Sequence, residues 1–337
     1  MKYSGIDLHS NNSVVSVIDE EDRIVAERRL PNDLGTIIEF LRPHKAELVG
    51  VVVESTYNWY WLVDGLQEAG FTVRLANTAA IKKYEGLKHS GDETDARHLA
   101  HVLRLGILPT GTILPKEDRA IRDLARKRLQ LVRSRTAHVL AVENITARQS
   151  GTRLNGNSVK RLTEASIDEL GYLPEIAMAI KANVAVISAI TKQIEGLERC
   201  LQERMAERPE YALLTSVPGI GKILATTILL ETGPVTRFAG VGNYASYARC
   251  VDSVHKSNFK KKGEGNRKNG NKYLSWAFVE AAHFAVRYCP EAKRFFERKK
   301  GKTNPTVATK ALAHKLARAC YHVLQDRRPF DVTRCFA

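Results

Sequence analysis

The feature that most constrains the fold is a run of apolar residues at 48–53, enclosed by Glu47 and Glu54 and composed mainly of valine. A short, almost uninterrupted apolar run of this kind is typical of a strand that is covered on both faces. Strand-like patterns at 13–18, 23–28 and 70–75 and helical patterns at 34–41 and 59–69 surround it. We therefore expect residues 1–116 to form an α/β domain with a mixed sheet.

The rest of the chain is mainly helical in pattern. Residues 117–149 are helical and Arg-rich, a Gly/Asn/Ser stretch interrupts at 150–158, and helix resumes at 174–208. In the second helix, apolar residues recur at alternating three- and four-residue steps: Ile187, Ile190, Ile194, Leu197 and Leu201. This seam predicts a helical hairpin or coiled coil, although an amphipathic helix on its own core would give a similar pattern.

The charge is divided unevenly along the chain. The 337 residues carry a net charge of +15, yet residues 1–115 have a net charge of −4 and the remainder +19. A basic region of this size favours a polyanionic partner, most often nucleic acid. The five cysteines are widely spaced without a CxxC pair, which excludes a disulfide scaffold and an ordinary zinc module and fits a reducing cytoplasm. No apolar run approaches the roughly 18–20 residues of a membrane span.

Carboxylates occupy conspicuous positions in the acidic region. Asp7 lies within a strand, Glu54 ends the valine-rich strand, and Asp92 and Asp95 open a helix one turn apart. If these acids converge, their repulsion requires divalent cations, and oxygen ligands favour Mg²⁺ or Mn²⁺ over zinc. Such a cluster supports two-metal phosphoryl transfer.

Each acid also has a simpler explanation. Asp92 fits a helix N-cap, and Asp95 fits an acid in the first helical turn. Asp7 alone would suit an actin-like sugar kinase, which would also need a second Gly-rich phosphate loop that the sequence lacks. Glu54 could simply turn into solvent at the end of its strand.

Two basic segments follow in the last third of the chain. Gly219, Gly221 and Lys222 resemble the hairpin of a helix-hairpin-helix motif, in which backbone amides bind phosphate, although a Gly-rich turn before a core helix is equally compatible. Residues 254–275 hold seven basic residues against one Glu, with Gly263, Gly265 and Gly270 expected to break any regular element. A flexible loop of this composition suits a nucleic-acid backbone, through Lys256, Lys260, Lys261, Lys262, Arg267, Lys268 and Lys272. A solvated charge run remains the alternative, and Ser257 within this loop is a candidate nucleophile.

Taken together, these stretches resemble insertion-sequence transposases of the 110 type, which are bridge-RNA-guided recombinases with an N-terminal DEDD domain and a C-terminal transposase domain. The resemblance covers nearly the whole chain. It rests on Gly5-Ile6-Asp7, Val53-Glu54, Asp92-x-x-Asp95-Ala96, Ser216-Val217-Pro218-Gly219-Ile220-Gly221, Ser257-Asn258 and Gly270-Asn271-Lys272-Tyr273-Leu274. Asn258 stands where the family carries the glycine of its Ser-Gly pair.

The resemblance implies a RuvC/RNase H-like DEDD domain at 1–116, an α-helical coiled-coil spacer at 117–210 and a mainly α-helical transposase domain at 211–337. Ser257 would attack DNA and form a phosphoserine link, while Mg²⁺ or Mn²⁺ at the four acids stabilises the leaving oxygen; Ser253 is a second candidate nucleophile. The implied partners are target and donor DNA, a noncoding guide RNA and further copies of the chain in a dimer or tetramer. The implied location is the cytoplasm of a bacterial or archaeal cell, at the nucleoid.

Other functions stay open at this point. A RuvC-like nuclease would use the same acids to activate water, with Ser257 reduced to a phosphate contact. A noncatalytic scaffold for DNA or RNA would need only the basic charge. Tyr247 and Tyr273 could in principle act as recombinase nucleophiles, but both lie in apolar helical patterns typical of core residues.

Overall fold

The computed structural model describes residues 1–81, 92–251, 254–264 and 269–337. Two compact units make up the chain, one built on residues 1–116 and the other on residues 117–264 and 270–337.

The first unit is built on a six-stranded mixed sheet with the strand order β3-β2-β1-β4-β5-β6. Strands β1, β4 and β5 run parallel, whereas β2, β3 and β6 are antiparallel to their neighbours. The strands are β1 (Lys2–Leu8), β2 (Asn12–Ile18), β3 (Ile24–Pro31), β4 (Leu48–Glu54), β5 (Val73–Ala76) and β6 (Thr110–Gly111).

Helices cover both faces of this sheet. They are α1 (Leu34–Leu41), α2 (Tyr60–Glu68), α3 (Thr78–Ile81) and α4 (Asp92–Arg104), with a 3-10 helix at Arg42–Glu47. Val51 and Val53 pack in the core cluster that contains α1 and α2, whereas Val52 packs with Leu99 of α4. The central strand is thus buried on both faces, as its apolar run predicts, because successive side chains point to opposite sides.

The second unit begins with two long helices, α5 (Lys116–Ser150) and α8 (Pro174–Ala206), joined through the short helices α6 (Gly156–Val159) and α7 (Glu164–Asp168). Polar contacts tie α5 to α8 in antiparallel order: Arg128 to Glu198 at 2.8 Å, Arg135 to Thr191 at 3.2 Å and His138 to Asn183 at 2.9 Å.

Every seventh residue of α8 is buried along this pairing, at Ile180, Ile187, Ile194 and Leu201. Ile187, Ile194 and Leu201 of the predicted seam therefore lie on the inner face of a helical hairpin within one chain, whereas Ile190 and Leu197 are half-buried.

Helix α8 is apolar on average, although it contains no long uninterrupted apolar run. It contains an 18-residue window with a mean hydropathy of 1.3, so by length and composition alone it could cross a membrane. The sequence shows no single apolar run because polar residues such as Lys181 and Asn183 divide it. A helix in the core of a folded protein can pass the same test, so this is weak evidence for a membrane span.

The remaining helices pack around a second core rich in alanine. Fully buried Tyr244 and Phe278 occupy its centre, and Ala277, Ala281 and Ala285 let α12 lie close to its neighbours. The elements in this part of the chain are α9 (Pro209–Thr215), α10 (Lys222–Thr232), a 3-10 helix (Val235–Arg237), α11 (Val241–Tyr247), β7 (Val254–Ser257), β8 (Lys260–Glu264), α12 (Lys272–Tyr288), α13 (Pro290–Lys302), α14 (Pro305–Asp326) and α15 (Val332–Phe336).

Candidate functional site

Asp7 and Glu54 lie side by side at the carboxyl ends of the central strands β1 and β4. We call this end of the sheet the acidic edge. Strands β1 and β4 are parallel with Ile6 opposite Val53, so the residues that follow, Asp7 and Glu54, are also neighbours. Adjacent strands lie about 4.8 Å apart. Asp7 is only 3% exposed and Glu54 is half-buried.

Both carboxylates point to the α4 side of the sheet. Ile6 and Val53 belong to the core cluster on the α1–α2 side, so the alternation of side chains directs the next residue on each strand the other way. Val52, two residues before Glu54, packs against α4 residue Leu99 and fixes the same direction.

Helix α4 approaches β1 at Gly5. A Cβ atom added at Gly5 would lie 2.1 Å from the carbonyl oxygen of Ala96 and 2.8 Å from the backbone nitrogen of Ala100. Only glycine fits such a close approach of two backbones. The small residues Gly5 and Ala96, which border the acids in the sequence, therefore seat the helix on the strand.

The direction of α4 brings its acidic end to the same edge. Near its C-terminus, His101 lies 2.8 Å from Asp22 and Arg104 lies 3.2 Å from the same residue, in the β2–β3 turn. That turn follows Ile18, which pairs with Tyr3 at the start of β1. Helix α4 thus runs opposite to β1, and its first turns lie toward the Asp7 end.

The metal cluster predicted from the sequence is only partly described. Asp95 is half-buried on α4, while the side chain of Asp92, the first residue of α4, lies outside the described residues. In the described ranges no group of three or more His, Cys, Asp and Glu could hold a metal ion. Asp7 and Glu54 supply oxygen donors of the kind that Mg²⁺ prefers, so the described part of the set fits such an ion chemically.

Sequence reasoning missed the polar groups that fix this edge. The Nε2 atom of His9 lies 3.2 Å from Oδ2 of Asp7. The carbonyl oxygen of His9 accepts hydrogen bonds from Nδ2 of Asn32 at 3.0 Å and Nδ2 of Asn58 at 2.9 Å. The sequence offered two signals for these contacts. One is the histidine two residues after Asp7, and the other is the pair of asparagines in the segments that follow β3 and β4.

The predicted serine loop is a β-hairpin over residues 254–264, so the expectation that Gly263 breaks regular structure is wrong, whereas Gly270 does lie outside any strand or helix. Ser257 pairs with Lys260 across the two-residue turn Asn258–Phe259, and His255 pairs with Gly263 inside the ladder. Asn258 and Phe259 have φ values of 49° and 59°, as a tight two-residue turn requires. Asn258 therefore performs the conformational role of a glycine, because asparagine tolerates the left-handed region well.

Several candidate residues of this hairpin are described only in part. Lys260 and Lys262 are exposed, as is Lys272 at the start of α12. The side chains of Ser257, Lys256 and Lys261 lie outside the described residues, and so do Ser253, Gly265, Arg267 and Lys268 altogether.

The glycines of the Pro218–Lys222 segment have different roles. Gly219 has a φ of +84°, and a Cβ there would lie 2.2 Å from the carbonyl oxygen of Ala281 on α12. Gly219 therefore allows α12 to pack closely against this turn, in line with the alternative of a Gly-rich turn before a core helix. Gly221 is the exposed N-cap of α10 and Lys222 is its exposed first residue, so this helix end is accessible to an anion.

A buried polar network, also missed in the sequence, stands where α12 begins. Glu231 on α10 is 4% exposed and accepts hydrogen bonds from Arg126 Nε at 2.6 Å, from Arg126 Nη2 at 2.8 Å and from Asn271 Nδ2 at 2.7 Å. Asn271 also caps α12, since its Oδ1 accepts from the N–H groups of Tyr273 and Leu274. Burial opposes the charge of Arg126, but the hydrogen bonds and charge of Glu231 outweigh it and raise the pKa of the guanidinium.

A basic cleft of about 420 Å³ lies beside this network. Helix α5 and the start of α12 form it, and Lys272 and Arg126 both lie over the ring of Tyr273, at 5.2 Å and 4.7 Å from its centroid. Its cationic residues are Arg126, Lys127, Arg133 and Lys272, beside a single acid, Asp123. Cations around an aromatic ring suit a nucleic-acid backbone and its bases.

Three further nucleophilic side chains lie near the hairpin in the sequence, those of Cys250, Tyr247 and Tyr273. Burial raises the pKa of the Cys250 thiol to about 12, so it carries little thiolate at neutral pH. Tyr247 and Tyr273 are half-buried, and cationic guanidinium groups lie over both rings.

Comparison with known sequences identifies the family. Residues 4–145 match a DEDD-type IS110 transposase profile, and residues 211–297 match the profile of the transposase IS116/IS110/IS902 family. The chain is 22% identical to the mini-circle putative transposase for IS117 of Streptomyces coelicolor, over 99% of this chain and 96% of that protein.

Further relatives extend the likeness. The transposase for insertion sequence element IS1328 of Yersinia enterocolitica is 23% identical over 83% of this chain and 85% of its own length. The pilin gene-inverting protein of Moraxella lacunata is 32% identical over 43% of this chain and 45% of its own. The two family matches together span more than half of the sequence and include both the acidic edge and the serine hairpin. The chain belongs to the IS110 family of DNA transposases and recombinases.

Proposed function

We propose that this chain cuts and rejoins the DNA of an insertion sequence, with Ser257 as the nucleophile and a divalent metal ion at the acidic edge. The observation that carries the proposal is the pairing of Ile6 with Val53, which makes Asp7 and Glu54 neighbours beneath the helix that bears Asp92 and Asp95. The strand order, with an antiparallel β2 beside the parallel β1, β4 and β5, supports a RuvC/RNase H-like assignment for this unit.

Asp7, Glu54, Asp92 and Asp95 would hold Mg²⁺ or Mn²⁺. Such an ion, when bound, supplies charge neutralisation at the phosphate and at the departing oxygen. His9, at 3.2 Å from Asp7, orients that carboxylate, and Asn32 and Asn58 hold the backbone of His9 in place.

Ser257 would attack phosphorus with its Oγ atom. The Oγ–P bond forms as a P–O bond to deoxyribose breaks, the serine proton passes to a base, and the departing oxygen takes up a proton. The cations of the hairpin, Lys256, Lys260, Lys261 and Lys262, favour the approach of the phosphodiester. The resulting phosphoserine preserves the energy of the broken bond for rejoining.

We also propose that Lys222, Arg267, Lys268, Lys272, Gly219 and Gly221 contact nucleic acid, and that a noncoding guide RNA selects target and donor DNA. A dimer or tetramer would bring the strands together. Support for these partners is the net charge of +19 on residues 116–337 and the basic cleft beside α12. The reducing bacterial or archaeal cytoplasm is the compartment in which free cysteines and DNA coexist.

The test is a recombination assay on a plasmid that carries the ends of the element and its flanking RNA, with reactions trapped for covalent protein–DNA adducts. We expect the wild-type chain to form an adduct that is lost in Ser257→Ala, in Asp7→Asn and after chelation of divalent metal. Ser253→Ala and Glu68→Gln, an exposed acid on α2, serve as controls and should retain the adduct.

The outcomes separate the competing functions. Cleavage that survives Ser257→Ala without an adduct would identify a water-using RuvC-type nuclease. DNA binding without cleavage by the wild type under all metal conditions would identify a scaffold. Loss of the adduct in Ser253→Ala alone would move the nucleophile to that residue.

A further inference from the structure

The tip of the β7–β8 hairpin carries an aromatic ring in an unusual position. The side chain of Phe259 is 97% exposed, and its backbone adopts a φ of 59°. A bulky residue rarely accepts this left-handed conformation, whereas glycine or asparagine would occupy it without strain. Folding of the hairpin alone therefore gives no reason for a phenylalanine here.

The surroundings of Phe259 indicate what the ring touches. Residues 254–263 contain four lysines and no acid, and Lys260 and Lys262 on β8, the strand that follows Phe259, are exposed. Apolar protein surfaces do not favour such a dense positive charge, because each lysine would lose its hydration on docking. A nucleic-acid strand offers both complementary groups, since its phosphates pair with the lysines and its bases present flat aromatic faces.

We propose that Phe259 stacks on an unpaired nucleobase of the strand that the hairpin contacts. The inference deepens the proposed function, on which it rests, by naming the group that the hairpin tip recognises. An unpaired base is required because bases within a duplex already stack on both faces. Phe259 lies two residues after Ser257, hence at most about 7 Å along the backbone, so the base would adjoin the attacked phosphate.

The experiment compares strands with and without bases. Binding of the full chain to an oligothymidylate and to an abasic oligomer of equal length is measured in the presence of a chelator, which prevents cleavage. Phe259→Gly removes the ring and suits the same turn, so the hairpin is kept. We expect it to weaken oligothymidylate binding roughly tenfold or more, because loss of one base–aromatic stack typically has that effect, and to leave the abasic oligomer unchanged.

Matched variants complete the design. Phe259→Tyr keeps the ring and should bind within about twofold of the wild type, since either ring stacks on a base. Tyr288→Ala removes a ring that is 75% exposed on α12 and should change neither affinity. An oligouridylate of the same length distinguishes a DNA strand from the guide RNA, according to which polymer suffers the larger loss in Phe259→Gly.

Three results would overturn the inference. Equal losses on both oligomers would mean that the ring acts without a base, and no loss on either would mean that the tip does not touch the strand. A fall in oligomeric mass in light scattering, with binding intact, would assign the ring to a protein contact. A base-dependent loss in a chain that cleaves no DNA would instead reject the proposed function and leave the stacking in place.

Discussion

Gly5 and Ala96 determine how closely α4 rests on β1, and through them the position of two candidate metal ligands. The Cβ that any other residue would add at Gly5 overlaps the backbone of α4, not a side chain that could move aside. Displacement of α4 would separate Asp95 from Asp7 and Glu54 without changing any acid.

Substitution of Gly5 by alanine is expected to lower the free energy of unfolding by about 1–3 kcal/mol, the usual cost of overpacking a tight contact. The yield of the covalent adduct should fall even under conditions in which the variant remains folded, since the displacement of α4 moves Asp95 away from Asp7 and Glu54. Urea unfolding and the adduct assay measure the two effects.

Gly35→Ala is the matched control for this prediction. Gly35 is exposed on α1, with only Asp33 near its Cβ position at 3.4 Å, so alanine should be neutral or slightly stabilising. Equal stability of Gly5→Ala and the wild type would show that α4 is not held at this contact.

At the residue scale, the sequence predicted the candidate acids but not the polar residues that contact them or hold the adjoining loops. Asp7 and Glu54 were recognisable because a carboxylate in or beside an apolar strand demands an explanation. His9, Asn32 and Asn58 were not, since their interactions depend on loops that no local pattern specifies. Glu231 was missed for the same reason: its partner Arg126 lies 105 residues away.

At the scale of elements, α5, α10 and α12 are joined by one buried network. Asn271 both caps α12 and donates to Glu231, so the end of the segment that follows the serine hairpin is fixed by two independent contacts. The sequence predicted these helices, because α5 and α12 each have one apolar face and α10 is a continuous apolar segment whose residues 224–232 are all buried. It could not predict the hairpin between them, whose geometry depends on two left-handed residues.

Asn271→Asp separates capping from charge. Aspartate caps a helix as well as asparagine does, but here its carboxylate would replace the amide that lies 2.7 Å from Glu231. We expect a loss of about 2–4 kcal/mol in the free energy of unfolding, from a lost hydrogen bond and buried like charges.

Asn304→Asp provides the comparison, because Asn304 caps α14 through the N–H of Val307 and is exposed to solvent. Its unfolding free energy should stay within about 0.5 kcal/mol of the wild type. Similar behaviour of the two variants would mean that Glu231 does not sense the charge at position 271.

Across the whole molecule, the charge is the property that sequence alone described most completely. Residues 1–115 carry a net charge of −4 and the rest +19, and the two compact units follow nearly the same division. Such totals predict an anionic partner but not the surface that would bind it. Only the three-dimensional structure shows where the cations gather, in the cleft formed by α5 and α12 and on the β7–β8 hairpin.

Binding of the full chain to duplex DNA should weaken steeply with salt. Replacing both Arg133 and Lys272 by glutamine should lower the slope of log K against log salt by about 2, since each lost phosphate contact contributes about 0.9. The measurement is a salt titration of affinity. Arg42→Gln, which removes an exposed cation from the acidic unit, should leave the slope unchanged, and an equal effect of all these substitutions would count against a localised contact.

The pairing of α5 with α8 restricts how the length of this helical hairpin can change. A helix of 33 residues extends for about 50 Å, comparable to some 15 base pairs of DNA. Because α8 buries every seventh residue against its partner, removal of three or four residues from both helices would turn that stripe away from the seam, whereas removal of seven would preserve it. Deletion of seven residues from both helices would therefore shorten the hairpin by about 10 Å with the stripe still facing α5, and natural length variants of this segment should favour multiples of a heptad.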